Sequence, residues 1–238
     1  MIIFSYDIES TGLDFLKDRV IEVGAILYST TQKKCLESQG FLVKTDVVIS
    51  EEITNLTGIT QQAVKKFGYD SSDALDVVSD MMLAADAVIG HNVVRFDKRM
   101  TAAWANREGV ILPDKLYIDT YTDLPDTEVG KLTLMAANAG FLNLFPHSAL
   151  ADCQTVLKLV ESYDIEKVVE RAKSPNVVVQ AVVTYDTNAL AKKERFRWYP
   201  EKKQWWKLCK EIDLEKFTAA LQFDVRIHRE NIQEYLDL

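Results

Sequence analysis

The hydrophobic period of this chain changes once in its first half, and that change limits the folds open to it. Residues 2–12 (IIFSYDIESTG), 19–29 (RVIEVGAILYS) and 35–45 (CLESQGFLVKT) carry the alternating, β-branched pattern of strands, with polar turns between them. Three strands in succession predict an antiparallel meander. Beyond residue 45 the apolar spacing becomes helical over 59–67 and 71–85, the second segment opening on Ser71 or Ser72 as an N-cap. Short apolar runs at 86–91 and 115–121 read as buried strands. Helical patterns at 95–109, 131–140 and 149–173 complete the first part of the chain. A meander followed by alternating strands and helices predicts an α/β domain built on a mixed sheet.

Pro175 sets the boundary of that domain, because proline cannot continue the long helix and biases Ser174 away from helical angles. The expected division is residues 1–174 and a small α+β module over 175–238. In the module, 177–185 reads as a strand, 187–196 as a helix, 196–210 as a hairpin turning at Pro200 to Lys203, 214–222 as a helix and 223–229 as a last strand. At 238 residues and 47% hydrophobic content, the chain has enough apolar material for one full core and a smaller companion.

No uncharged apolar run of membrane-spanning length occurs, and Asp7 and Glu9 interrupt the apolar start of the chain. The expectation is therefore a cytoplasmic protein with no membrane partner. Cys35, Cys153 and Cys209 are odd in number and widely separated, which supports neither a disulfide framework nor a zinc site. A net charge of -8 excludes a broad basic surface for coating nucleic acid. The charge is uneven, however: eight basic and two acidic residues fall within 192–210.

Asp7 and Glu9 pose a physical problem, since residues i and i+2 of a strand face the same side and like charges repel. A wet edge strand would resolve it simply. Two further acids argue for another answer: Asp97 follows the strand ending at GHN, and Asp152 opens a helix five residues after His147. Four carboxylates from separate elements, without a thiolate pattern, suit a hard divalent cation such as Mg²⁺ or Mn²⁺. A pair of such ions can serve both sides of a phosphate under hydrolysis.

These motifs resemble the DEDDh family of 3′–5′ exonucleases, which have an RNase H-like fold with a mixed five-stranded sheet flanked by helices. The resemblance covers about residues 1–165: DIESTGL supplies Asp7 and Glu9, RVIEVGAI follows it, GHNVVRFD supplies Asp97, and HSALAD supplies His147 and Asp152. LTGIT carries Thr57 where many members have histidine, and His91 to Asp97 is one position longer than the common spacing. Ser148 stands where the sister subgroup has tyrosine.

The resemblance implies two Mg²⁺ or Mn²⁺ ions. Asp7, Glu9 and Asp152 would hold the water-activating ion, Asp7 and Asp97 the ion near the leaving oxygen, and His147 would act as general base. It further implies that Ser10, Thr11, Gly12, Leu13, Thr57 and Asn92 lie near a 3′-terminal nucleotide, by backbone N–H groups, a hydroxyl, or packing of Leu13 on the base; Asn92 would alternatively position the Asp97 loop. The expected substrate is the 3′ end of DNA, single-stranded or frayed, with a DNA polymerase or replication partner. RNA trimming is the alternative within the same chemistry, and a non-catalytic polymerase-associated scaffold the alternative outside it.

Among the remaining candidates, His91 is expected to support the strand end, Phe96 and Trp104 to be core, and Asp86 and Asp119 to be solvated acids. In the module, ALAKKERFRWYPEKKQWWKLCK partly resembles small accessory modules of nucleic-acid enzymes. Aromatics between cations suit single strands, while Trp198, Trp205 and Trp206 can equally form a small core. Alternation places Trp205 and Trp206 on opposite faces, so that both cannot be core in a single packed layer.

Overall fold

The computed structural model describes residues 1–125 and 130–236, and the chain divides into two compact units, Met1–Ala172 and Lys173–Leu238. In the first unit, β1 (Ile2–Ser10), β2 (Val20–Ser29) and β3 (Lys34–Leu42) form the antiparallel meander. Helices α1 (Glu51–Thr57), α2 (Gln61–Phe67) and α3 (Ser71–Ala84) follow, then β4 (Ala87–Gly90), α4 (Asp97–Glu108), β5 (Leu116–Asp119), α5 (Leu132–Asn138), α6 (Ala149–Val160) and α7 (Ile165–Lys173). The sheet order is β3-β2-β1-β4-β5, with β4 and β5 parallel to β1. The unit is α/β with a mixed five-stranded sheet, and the acid-bearing strand β1 lies at its centre.

Alternation along β1 sorts its side chains between two cores. Phe4, Tyr6 and Ile8 join Leu75, Val78 and Met82 of α3 and Met100 and Trp104 of α4. Ile3 points the other way, into a cluster with Cys153, Val156 and Val160 of α6. Ser5 shares that face, and its hydroxyl donates to the Cys153 carbonyl at 3.1 Å. Asp7 and Glu9 continue the same row, toward the start of α6.

Two helix boundaries differ from the sequence pattern. The single helix expected over 149–173 is two, α6 and α7, because Ser162 turns its hydroxyl back to the Leu159 carbonyl and Asp164 accepts from the Glu166 N–H. Short polar side chains offer the backbone such local bonds in place of helical ones. Helix α1 was not expected; it is signalled by the Ser50 hydroxyl capping the Ile53 N–H and by Gly58 at φ 76°. Of the pair expected on one helix, Trp104 is core, whereas Phe96 precedes α4 and is half-buried against Phe15.

The second unit contains β6 (Asn176–Ala181), α8 (Asn188–Lys193), β7 (Arg197–Tyr199), β8 (Gln204–Lys210), α9 (Leu214–Ala219), β9 (Val225–His228) and α10 (Ile232–Leu236). Its antiparallel sheet runs β7-β8-β6-β9. The sheet is packed on both faces. Trp205 borders a cluster of Val177, Val179, Ala181 and Phe196, while Trp206 is buried with Val178, Tyr199 and Tyr235. The opposite orientations follow from alternation; two cores rather than one layer resolve the apparent conflict between these tryptophans.

Candidate active site

At the polar end of β1, ligand oxygens of Asp7, Glu9 and Asp152 all lie within 4.8 Å of one another. Cross-strand pairing sets this up. Asp7 stands opposite Gly24 of β2, and a Cβ on Gly24 would lie 2.2 Å from the Ala149 carbonyl carbon. Glycine thus lets the first turn of α6 rest directly on β2, which brings Asp152 over Asp7. Glu22, opposite Glu9, accepts from the Ala149 N–H at 3.0 Å and anchors the same turn.

Asp97 is buried in the first turn of α4 and accepts from the Ile8 N–H at 3.1 Å, so that it is tied to β1 between the two acids. Its own carbonyl accepts from Thr101 Oγ1, which is bonded to the Tyr6 hydroxyl at 2.9 Å. The extra residue between His91 and Asp97 is absorbed by a turn in which Asn92 takes φ 58°.

Burial pushes Asp7 well above the ordinary carboxylate range, and the charges of Asp97, Asp152 and Glu9 act in the same direction. Glu9 is pushed up to about 8 by burial, with Asp152 and Glu22 adding to it. Asp97 also rises to about 8, burial outweighing the backbone N–H bonds that favour its charged form. Asp152 is raised by burial and partly held down by Asn143 and by the His147 N–H. The protein alone therefore holds these acids at a cost that a cation between them would relieve. The donor set is all oxygen, as a hard divalent cation requires, and the residues fit such an ion.

A family model described as Exonuclease, of the RNase T type, matches residues 4–160. The chain belongs to the exonuclease family. Its order Asp7, Glu9, Asp97, His147, Asp152 corresponds to the DEDDh branch of the RNase H-like superfamily, which depends on divalent metal. The chain is 33% identical over 95 residues to DNA polymerase III PolC-type of Mycoplasmopsis pulmonis, covering 38% of this chain and 6% of that protein. Against the PolC-type polymerase of Caldanaerobacter subterraneus it is 28% identical over 162 residues, covering 65% and 11%. The exonuclease chain thus spans a small part of these relatives. Exonuclease I of E. coli in complex with a dA16 oligonucleotide superposes with a TM-score of 0.60 at 17% identity, covering 80% of this chain and 50% of that one. The nuclease domain of 3′hExo, a DEDDh member bound to rAMP, gives 0.57 at 18%, covering 67% and 90%. Both likenesses are of fold.

The other expected positions of the exonuclease site differ in what they offer. The hydroxyl expected to reach a terminal nucleotide is used inside the loop: Ser10 Oγ donates to the Gly12 carbonyl at 2.6 Å and Thr11 Oγ1 to Asp18 at 2.8 Å. Both side chains are buried, whereas Leu13 is 78% exposed. The Thr57 hydroxyl donates to the Ile53 carbonyl and accepts from the Ile59 N–H, closing the end of α1. Asn92 donates its backbone N–H to Asp119 Oδ1 at 2.7 Å. His147 is exposed on the loop before α6 at φ 63°, its N–H bonded to Asp152 Oδ2 at 3.1 Å.

Asp119 requires a correction. It is not a solvated acid but a buried one, accepting from the N–H groups of Asn92, Val94 and Tyr121 and thereby shaping the turn before Asp97. Burial raises it to about 6. Asp86 is exposed, as expected, and accepts from the Ile2 N–H. His91 bonds Thr120 Oγ1 at the strand end. Glu22 and Asn143, the latter bonded to Asp152 Oδ1, were not picked out from sequence. Glu22 stands in the strand whose pairing with β1 was expected, so the register Glu9 to Glu22 was its signal. Asn143 had none, because its role depends on how the 141–147 loop closes on α6.

Proposed function

We propose that this chain is a metal-dependent 3′–5′ exonuclease that removes nucleoside 5′-monophosphates from the 3′ end of DNA, single-stranded or frayed. The convergence of Asp7, Glu9 and Asp152 oxygens within 4.8 Å carries the reading. Asp7, Glu9 and Asp152 would hold one Mg²⁺ or Mn²⁺, and Asp7 with Asp97 a second. Such ions supply the charge that lowers the pKa of an attacking water and stabilises the departing 3′ oxygen. His147 takes the proton from that water, an assignment favoured by its exposure and by the tie between its N–H and Asp152. Tyr6 and Thr101 fix the turn that carries Asp97, and Glu22 and Gly24 fix the turn that carries Asp152. Leu13 presents an apolar surface on which the terminal base can pack, supported by its exposure beside the acids' strand.

DNA is favoured because both sequence relatives named above carry the name DNA polymerase III PolC-type, which also supports a replication partner. RNA is the second reading, favoured by the rAMP in the 3′hExo neighbour. The test uses 5′-labelled DNA and RNA single strands and duplexes with matched or mismatched 3′ ends, in Mg²⁺, Mn²⁺ or chelator, beside Asp7→Asn. A metal-dependent ladder on DNA that the variant lacks is expected. Laddering confined to RNA would move the substrate, and the absence of any metal-dependent ladder would overturn the enzyme reading in favour of a scaffold.

A further inference from the structure

The second unit contains a cavity of about 610 Å³, within the range of small-molecule sites. It is bounded by the β6–α8 loop, the β7–β8 hairpin and β9. Its walls include three aromatic rings, Tyr185, Trp198 and Trp205, and three cations, Lys192, Lys203 and Arg226, with no aspartate or glutamate. In a chain of net charge -8, an all-cationic lining is a local reversal. Lys192, Lys203 and Arg226 are exposed, and among the described residues none of them is paired with a carboxylate.

The aromatic geometry is set by the hairpin. Trp198 and Trp205 are cross-strand partners, and their ring centroids lie 5.4 Å apart with the planes tilted by 52°. The Lys192 ammonium lies 5.5 Å from the Trp205 ring centroid. Trp205 leans on the hydrophobic cluster and is held by it, whereas Trp198 is 47% exposed and Tyr185 is 90% exposed. A folded domain of this size gains nothing from leaving two large rings in water beside three unpaired cations. Flat π faces beside free positive charge match one class of ligand well: unpaired bases strung on phosphates. Trp206, buried on the other face, takes no part.

We propose that this cavity binds single-stranded nucleic acid, with bases stacked on Trp198 and Tyr185 and backbone phosphates held by Lys192, Lys203 and Arg226. The proposal goes beyond the exonuclease reading and does not depend on it, since the site is formed wholly by the second unit. A paired base cannot expose its face to such a wall, so single strands are selected over duplex. An acidic peptide would satisfy the cations but leave the rings without a partner.

The test measures anisotropy of 5′-fluorescein-labelled dodecathymidylate with the full chain in EDTA, where hydrolysis is not needed for a signal. Trp198→Ala should weaken binding about 5- to 150-fold, the range for losing one stacked base. Trp198→Tyr should recover affinity to within about threefold, whereas Trp198→Leu, which keeps an apolar contact with Trp205 but has no π face, should stay as weak as alanine. Replacing Lys192, Lys203 and Arg226 together by alanine should flatten the dependence of log affinity on log salt by about 2, near 0.7 per phosphate contact. Unchanged affinity in Trp198→Ala together with an unchanged salt slope would overturn the proposal. So would equal binding of a duplex, or displacement of the oligonucleotide by polyglutamate at matched charge. Hydrolysis of thymidine 5′-monophosphate p-nitrophenyl ester, with Mg²⁺ restored, reports the nuclease site separately, so failure there and failure here are distinguishable.

Discussion

The two units treat charge in opposite ways. In the first, like-charged acids are drawn together at the end of a central strand and fixed by backbone geometry: Gly24 admits α6, Glu22 anchors its first turn, and the Ile8 N–H holds Asp97. In the second, cations stand exposed on the rim of an aromatic cavity with no carboxylate among its walls. The acids are costly to hold without a cation, so their placement demands rigid support. The lysines and arginine cost little in water and require only a hairpin that presents Trp198 and Trp205 side by side. Chemistry at a bond needs the first arrangement; holding a flexible strand needs only the second.

The widest separation between the units is expected from the acids themselves. Asp7→Asn should reduce hydrolysis of both the p-nitrophenyl ester and long oligonucleotides to background, whereas Trp198→Ala should spare the ester. His147→Ala should lower ester turnover by about 10²- to 10⁴-fold, the range for losing a general base. Measuring both substrates on the three variants would break the comparison if Trp198→Ala cost as much on the ester as on the long strand.

Gly24→Ala probes the support rather than the acids. A Cβ there meets backbone on α6, which cannot rotate away, so the helix must shift. Urea unfolding should show a loss of about 3 kcal/mol, at the upper end for overpacking. Ester hydrolysis should fall with it, because Asp152 moves with the helix. A comparable loss of activity with unchanged stability would mean that α6 repositions without strain, contrary to the packing.

How much of this was legible in the sequence divides along the same line. The opening meander, the alternation of strands and helices after it and the four acids could be read because periodicity and spacing are local properties, and Asp7 and Glu9 share a face whatever surrounds them. Asp119 was misjudged because acids in loops are assigned by tertiary hydrogen bonding: the turn after His91 closes over it, much as Asp18 captures the Thr11 hydroxyl within its own loop. In the second unit, alternation separated Trp205 from Trp206, but nothing local distinguished the tryptophan that would be buried from the one that would line a cavity.

The raised carboxylates give the first unit a pH signature. Glu9 moves from 4.5 and Asp97 from 3.8 to about 8 in the folded chain, so the folded state binds more protons than the unfolded one between those limits. Stability then falls as pH rises from about 4 to about 8, and the loss is complete above the folded values. In chelator, Tm should decline across this window. Added Mg²⁺ should raise Tm more at pH 8 than at pH 5, because a cation competes with protons for the same oxygens. A flat Tm profile in chelator would show that the acids are relieved by the protein itself.

The smallest effect separates Glu22 as a support from Glu22 as a further repelling charge. Its carboxylate accepts from the Ala149 N–H, which Ser148 leaves without a side-chain cap, while its charge pushes Glu9 upward. Glu22→Ala removes both and should cost about 1 kcal/mol, as loss of a helix cap does. Glu22→Gln keeps an acceptor for the N–H and removes only the charge. In chelator at pH 8 it should therefore match or exceed the parent in Tm, and ester turnover in Mg²⁺ should stay within about threefold if Glu22 acts by holding α6 rather than by holding metal. If Gln costs as much turnover as Ala, the charge itself is needed at the site. The acid group would then extend one residue further across β2 than the Asp7, Glu9 and Asp152 oxygens define.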